Sequence, residues 1–260
     1  MTDTAVNTAA RPNTAMSDAA LAAHLAETAG QILLAVRSAT VFSPQALGKA
    51  GDQTANQFLV QAIRHARPDD GLLSEEMSCD GERLAKRRTW IVDPVDGTRE
   101  YGEARHDWAV HVALAIDGVA AIGAVALPDA GLVLRSDEPC PVPPPASPLR
   151  MLVSRTRPAP EAVAVAERLG ATLVPMGSAG AKAMAVVRGE ADIYLHSGGQ
   201  YEWDSAAPVA VAGAFGLHCS RIDGSPLRYN QEDVYLPDLL ICPKELADQV
   251  LALVREMKAS

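Results

Sequence analysis

The sequence predicts an α+β half followed by an α/β half, and three observations carry that reading. Residues 149–260 alternate strand-like apolar runs with helical spacing, the order that stacks helices on a largely parallel sheet. Earlier in the chain, the short apolar runs GLLSEE, TWIVDP and WAVHVALAI follow one another, and the last joins GVAAIGAVAL through Asp117-Gly118, the dipeptide of a tight hairpin. Between the two regions lies PCPVPPPASP (139–148), too rich in proline for a sheet or a helix, so the chain divides into 17–138, a linker at 139–148, and 149–260.

Taken in order, residues 1–16 are polar, small and aperiodic, as in a mobile tail. Ser17-Asp18 caps a helix whose Leu21, Leu25, Ile32, Leu33 and Val36 recur at helical spacing. A second helix is expected to follow Gly51-Asp52, with Phe58, Leu59, Ala62 and Ile63 on one face and Pro68 as its stop. After the linker, LRMLVS, ATLVP, ADIYLH and LLICP read as strands. PEAVAVAERLG, AKAMAVVRG and SAAPVAVAGAF read as helices between them, and a last helix closes the chain. No internal repeat is visible.

The composition bounds function. A hydrophobic share of 48% with only 4% aromatics describes a globular core of Ala, Val and Leu. No apolar run reaches the ~18–20 residues of a membrane helix and no signal peptide opens the chain, so a cytoplasmic protein without a membrane partner is expected. A net charge of −9 argues against gripping a nucleic-acid backbone. It leaves room for a phosphorylated small molecule, because divalent cations invert the charge of an acidic site. Cys79, Cys140, Cys219 and Cys242 form no C-x-x-C pair and have no histidine at zinc spacing; reduced thiols are expected.

The candidate chemistry lies in acids at the ends of apolar elements. Asp93-Pro-Val-Asp96-Gly-Thr98 ends the run TWIV, Glu75-Glu76 closes LLS, Asp52 stands at the expected helix start, and Asp204 follows Trp203. Each alone has an ordinary account as a turn, a solvated end or an N-cap. If Glu75, Asp93, Asp96 and Asp204 converge, each pair at ~4 Å repels by about 4 kcal/mol at an effective dielectric of ~20. Divalent cations remove that repulsion, and an all-oxygen donor set selects Mg²⁺ or Mn²⁺ over zinc. Asp93 and Asp96, stiffened by Pro94, could bridge two ions about 3.5–4 Å apart, the spacing used for in-line phosphoryl displacement.

Other motifs fail. His65, His106, His111 and His218 are scattered and read as structural or exposed. Ser154 and Ser178 lack a G-x-S-x-G elbow, and the loop before Lys182 has the wrong spacing for a Walker motif.

Glu75-Glu76, Asp93-Pro-Val-Asp96-Gly-Thr98 and Trp203-Asp204-Ser-Ala-Ala resemble the three signatures of the inositol monophosphatase superfamily of metal-dependent phosphatases. The resemblance runs from about residue 17 to the end and includes Gly189-Glu-Ala-Asp192-Ile-Tyr194 and Asp223-Gly-Ser-Pro-Leu. Arg99-Glu100-Tyr101 is similar to the 3′(2′),5′-bisphosphate nucleotidases of CysQ type, as is Gly177-Ser-Ala-Gly-Ala-Lys182, although Ala179 replaces the loop's usual Ser and His196 stands where relatives tend to carry Arg.

The resemblance implies a layered αβαβα sandwich with the site between the halves. It implies one metal on Glu75, Asp93 and the carbonyl of Val95, a second on Asp93, Asp96 and Asp204, and a third, looser ion sharing Glu75. Asp52 and Thr98 would orient and deprotonate the attacking water, amides around Gly97 and Thr98 would hold phosphate, and Glu76 would stand behind the ligands. Arg99, Gly177, Ser178 and Lys182 would contact substrate, together with Glu75, Val95, Asp96 and Asp204. Mg²⁺ is the expected cofactor, with Mn²⁺ as a substitute, Li⁺ as an inhibitor and a homodimer as the family habit. The activity implied is removal of the 3′-phosphate of 3′-phosphoadenosine 5′-phosphate, giving AMP and phosphate, and action on the sulfated form would link it to sulfur assimilation. The alternatives are inositol monophosphate or fructose 1,6-bisphosphate as substrate, or a catalytically silent regulator on the same fold.

Overall fold

The computed structural model describes residues 16–77 and 81–259; the tail before Met16 and Cys79 lie outside the described residues. Ser17 caps α1 (Asp18–Ser38) by accepting the amide of Ala20 at 3.1 Å. The next helix, α2 (Pro44–Ala66), starts well before the expected Gly51-Asp52, with Pro44 in the first turn, where its missing N–H costs nothing. Asp52 is therefore inside the helix and caps nothing.

The first sheet runs β1 (Gly71–Ser74), β2 (Arg88–Asp96), β3 (Ala109–Ile116), β4 (Val119–Leu127) and β5 (Leu132–Arg135) in that spatial order. The β1–β2 pair is parallel, the rest antiparallel, and the Asp117-Gly118 turn joins β3 to β4. A short helix, α3 (Thr98–Gly102), follows β2.

Residues 139–149 carry no helix or strand. Beyond them come β6 (Arg150–Ser154), α4 (Pro160–Leu169), β7 (Thr172–Met176), α5 (Ala179–Val187), β8 (Ile193–Tyr201), α6 (Glu202–Ala214), β9 (His218–Ser220), β10 (Tyr235–Cys242) and α7 (Lys244–Ala259). The second sheet has the order β7-β6-β8-β10-β9, with β6 parallel to both neighbours and β10 antiparallel to both of its own. Both sheets are mixed.

Alternation along the strands dictates the layers. On β2 and β3, Trp90, Val92, Val110, Val112 and Leu114 face the α1–α2 layer, while Ile91, Ala109, Ala113 and Ala115 face α5 and α6. The opposite side of α5 and α6 meets Leu152, Tyr194, Leu239 and Ile241 of the second sheet. Met151, Ile193, Leu195 and Leu240 face outward onto α4 and α7. The result is helix, sheet, helix, sheet, helix: five layers with α5 and α6 in the middle.

Against expectation, α1 is long and apolar enough to cross a membrane by length and composition. Leu21, Ala22, Leu25, Ala26, Ala29 and Leu33 are instead buried against α2 and the first sheet, as in a core helix.

Candidate active site

A strict two-residue period would send Asp93 and Asp96 to opposite faces of the first sheet. The register forbids it: Asp93 lies opposite His111 and Asp96 opposite Ala109, so β2 spends one more residue than β3 over that stretch. This bulge, at Pro94-Val95, turns Asp96 onto the face already occupied by Asp93. Pro94 suits the place because it has no N–H to leave unpaired. Val95 points back into the α1–α2 core and donates its amide to Asp93 Oδ1 at 3.0 Å.

Gly97 then takes φ +89°, a left-handed conformation that favours glycine, and α3 begins. Thr98 Oγ1 stands 3.1 Å from the carbonyl of Val95 and 3.4 Å from Asp52 Oδ1. One hydroxyl hydrogen thus faces two acceptors. Asp52 reaches this point because Gly48 and Gly51 let α2 close on α3: a Cβ on Gly48 would meet Thr98 Cγ2 at 2.8 Å, and one on Gly51 would meet the Tyr101 ring at 2.6 Å.

Asp204 comes from the first turn of α6, in the middle layer, where its carboxylate also accepts the amide of Tyr201 at 2.6 Å. Asp93, Asp96 and Asp204 each present an oxygen, and these atoms all lie within 4.8 Å of one another. Glu75 follows β1, and its carboxyl interacts with Asp93, Asp96 and Asp204. Glu75 is exposed as a residue, but its carboxyl has lost water and faces the other acids, which together push it up to about 7.

The charges are in mutual conflict. Burial, then the neighbouring Glu75, Asp96 and Asp204, hold Asp93 well above the carboxylate range. Asp204 rises to about 6 through burial and Asp96, and Asp52 to about 7 through burial and Glu76. Asp96 alone moves down, to about 2: burial opposes this, but His111, the Ser178 hydroxyl and the Gly180 amide outweigh it. A protein does not collect buried carboxylates without something to neutralise them. An all-oxygen set in which Glu75, Asp93 and Asp204 resist ionisation fits a hard divalent cation.

The remaining expected contacts separate into two groups. Ser178, at φ +48°, gives its hydroxyl to Asp96 while the amides of Ala179 and Gly180 donate to the same carboxylate at 3.0 and 2.6 Å. Gly177 donates to Asp107 Oδ2 at 2.6 Å. Lys182 is buried rather than surface-exposed, and its ammonium donates to the carbonyls of Gly177 and Ser178 at 3.0 and 2.5 Å. Arg99, by contrast, is exposed and paired with Glu103 at 2.9 Å. Glu76 is exposed as well, and its charge is felt at Asp52. A cavity of about 590 Å³ lined by Arg105, His106, Asp107, Met176, Arg188 and Glu190 includes none of Asp52, Glu75, Asp93, Asp96 and Asp204.

One residue at the site carried little sequence signal. His111 is fully buried, with Nδ1 3.0 Å from the carbonyl of Trp203 and Nε2 3.2 Å from Asp96 Oδ2. A polar residue inside the otherwise apolar run WAVHVALAI was its only mark.

The model of the inositol monophosphatase family matches residues 14–138 and 146–259. The 3′-phosphoadenosine 5′-phosphate phosphatase of Mycobacterium leprae is 50% identical over 260 aligned positions, which cover 93% of this chain and 95% of that protein. The 3′(2′),5′-bisphosphate nucleotidase CysQ of Escherichia coli K12 is 30% identical over 72% of this chain and 81% of its own. The crystal structure of CysQ from Bacteroides thetaiotaomicron superposes with a TM-score of 0.75 at 24% identity, covering 89% of this chain and 98% of that one, which shows the fold.

Proposed function

From the premise that the chain belongs to the inositol monophosphatase family, we propose that it is a phosphatase that hydrolyses the 3′-phosphate of 3′-phosphoadenosine 5′-phosphate, yielding AMP and phosphate. The observation that carries the reading is the 50% identity, over almost the whole of both chains, to a phosphatase of that name. The convergence of Asp93 and Asp96, both buried, with the half-buried Asp204 supports the chemistry.

Mg²⁺ is the proposed cofactor, with Mn²⁺ able to replace it. Asp93, Asp96 and Asp204 would hold one ion, and Glu75, Asp93 and the Val95 carbonyl another. When bound, the metal supplies charge neutralisation of the phosphoryl oxygens and lowers the pKa of water. Thr98 and Asp52 orient the attacking water, and Asp52, titrating near neutrality, takes its proton. The water oxygen bonds to phosphorus, the P–O3′ bond breaks, and the ribose 3′-oxygen leaves with the bonding pair and takes a proton from solvent water to become the hydroxyl of AMP. Glu76 acts on Asp52 through its charge.

The backbone of the loop Gly177–Lys182 is held by Asp96, Asp107 and Lys182. Amides at Gly97 and Thr98 hold the phosphate, Ser178 and Arg99 lie at the substrate's edge, and the sulfated nucleotide is a second substrate. The protein works in the cytoplasm as a homodimer, contacts neither nucleic acid nor membrane, and is inhibited by Li⁺. Product analysis tests the reading: incubation with substrate and Mg²⁺ yields AMP and inorganic phosphate, whereas adenosine 3′-phosphate as the product would contradict it.

A further inference from the structure

We propose that His111 is a positioning residue that sets the spacing of the Asp96 and Asp204 carboxylates, and through that spacing the affinity of the metal site. The inference rests on the metal-binding reading above.

The polarity of His111 demands a cause. Its neighbours along β3 are Ala109, Val110, Val112 and Ala113, all fully buried, and an aliphatic residue would continue the strand without the cost of burying an imidazole. On the middle-layer face the chain otherwise uses alanine, at 109, 113 and 115, which brings α5 and α6 close to the sheet. His111 is the one large polar side chain among them.

Its two nitrogens serve the two halves of the acid cluster. A carbonyl only accepts, so Nδ1 carries a hydrogen and donates to Trp203 O. That carbonyl belongs to the peptide unit that joins Trp203 to Asp204. With the ring so fixed, Nε2 lies 3.2 Å from Asp96 Oδ2, at ion-pair distance but off the line of a hydrogen bond. The chain also reserves room for it: a Cβ on Gly180 would stand 2.0 Å from Nε2. Gly180 thereby brings its amide to the same Asp96 oxygen that the imidazole faces.

The remaining anchors do not connect the two carboxylates. Asp96 is held by Ser178, which precedes α5, and by Ala179 and Gly180 in its first turn, and Asp204 by the amide of Tyr201, the residue before α6. His111 touches Asp96 with one ring atom and the backbone of Asp204's turn with the other. A rigid ring between them holds the pair at one separation. Lying at 0% exposure beneath the acids, it does not reach substrate.

The test is Mn²⁺ titration of the substrate-free full chain by electron paramagnetic resonance, for the wild type, His111→Phe and His111→Gln. Phe keeps ring volume and loses both polar contacts; Gln retains a donor. The expected result is that Phe weakens Mn²⁺ binding by about 10–100-fold, the range for partners of metal ligands, with Gln recovering part of the loss. The Mg²⁺ concentration for half-maximal activity should rise in step. KM for the nucleotide at saturating Mg²⁺ should stay within about twofold, since the substrate contacts are untouched. A folded Phe variant that binds Mn²⁺ like the wild type, or that changes KM alone, overturns the role. If circular dichroism shows that Phe does not fold, the Gln variant decides: weakened Mn²⁺ binding supports the role, and wild-type binding overturns it. A wild type that binds no Mn²⁺ removes the metal reading and the role with it, whereas wild-type binding unaffected by substitution removes the role alone.

Discussion

Asp96 on β2 and Gly180 on α5 meet in a 2.6 Å hydrogen bond that ties one half of the chain to the other. The Ser178 hydroxyl and the Ala179 amide reinforce it on the same carboxylate. Asp96 therefore has a structural task as well as a place in the acid cluster, while Asp204 and Asp93 are held there at an electrostatic cost.

That contrast predicts opposite stability effects from two substitutions that both stop catalysis. Asp96→Asn removes a charge that several donors need and should cost about 1.5–3 kcal/mol, as charged hydrogen bonds do. Asp204→Asn removes a buried charge that its neighbours disfavour and should leave the metal-free protein as stable as wild type or more so. Urea unfolding in chelator, paired with phosphate-release assays, checks both, and activity should fall by orders of magnitude in each variant.

The metal-free protein should lose stability as pH rises. Carboxyls raised in the folded state bind more protons there than in the unfolded chain, so ∂ΔG/∂pH is negative between the two pKa values. With Glu75 and Asp52 at about 7 and Asp204 at about 6, against ordinary carboxylate values near ~4, the loss spans roughly pH 4–7 and is complete above it. Asp96, held at about 2, acts below that window and in the other direction. Thermal melts in chelator should therefore show a higher Tm at pH 5.5 than at pH 8, and saturating Mg²⁺ should flatten the difference.

Gly48→Ala tests whether close packing of α2 on α3 places Asp52. Helix propensity alone favours alanine by about 0.8–1 kcal/mol. The new Cβ would meet Thr98 Cγ2 at 2.8 Å and the Thr98 carbonyl at 3.2 Å, so the helices must part. Stability should fall rather than rise, and kcat should drop with little change in KM if, as proposed, Asp52 and Thr98 orient the attacking water. Paired kinetics and urea denaturation measure both.

Lys182→Ala follows from the same style of accounting. The ammonium is buried and braces two loop carbonyls, and burial pulls its pKa below the ordinary lysine value. Removal leaves those carbonyls without their donor, at about 1–3 kcal/mol, and loosens the loop for every substrate. Urea melts should show that loss, and KM should rise for nucleotide and non-nucleotide phosphates alike.

Glu75, Asp96 and Asp204 were legible because each sits at or beside the end of a strand or the start of a helix, whereas Asp52 lies inside α2, and the proline at 139–148 marks a stretch without helix or strand. The shared face of Asp93 and Asp96 was not, since it comes from a bulge that only the pairing with β3 reveals. The start of α2 was misplaced for a similar reason. Gly48 and Gly51 look like punctuation in a local reading, yet they serve contacts with Thr98 and Tyr101, some fifty positions on. The edge strands β5 and β9 are four and three residues long, too short to carry a period. His111 was read as structural or exposed because its partners lie on two other elements.

The central claim is a metal-dependent phosphatase directed at a 3′-phosphorylated nucleotide. It is tested most directly by side-by-side kcat/KM values for 3′-phosphoadenosine 5′-phosphate, inositol 1-phosphate and fructose 1,6-bisphosphate, each with chelator and with Mg²⁺. The predicted result is no turnover in chelator, recovery with Mg²⁺, and a preference for the nucleotide of about tenfold or more, equivalent to about 1.4 kcal/mol of transition-state binding. Turnover that survives chelation, or a nucleotide no better than the sugar phosphates, would contradict it.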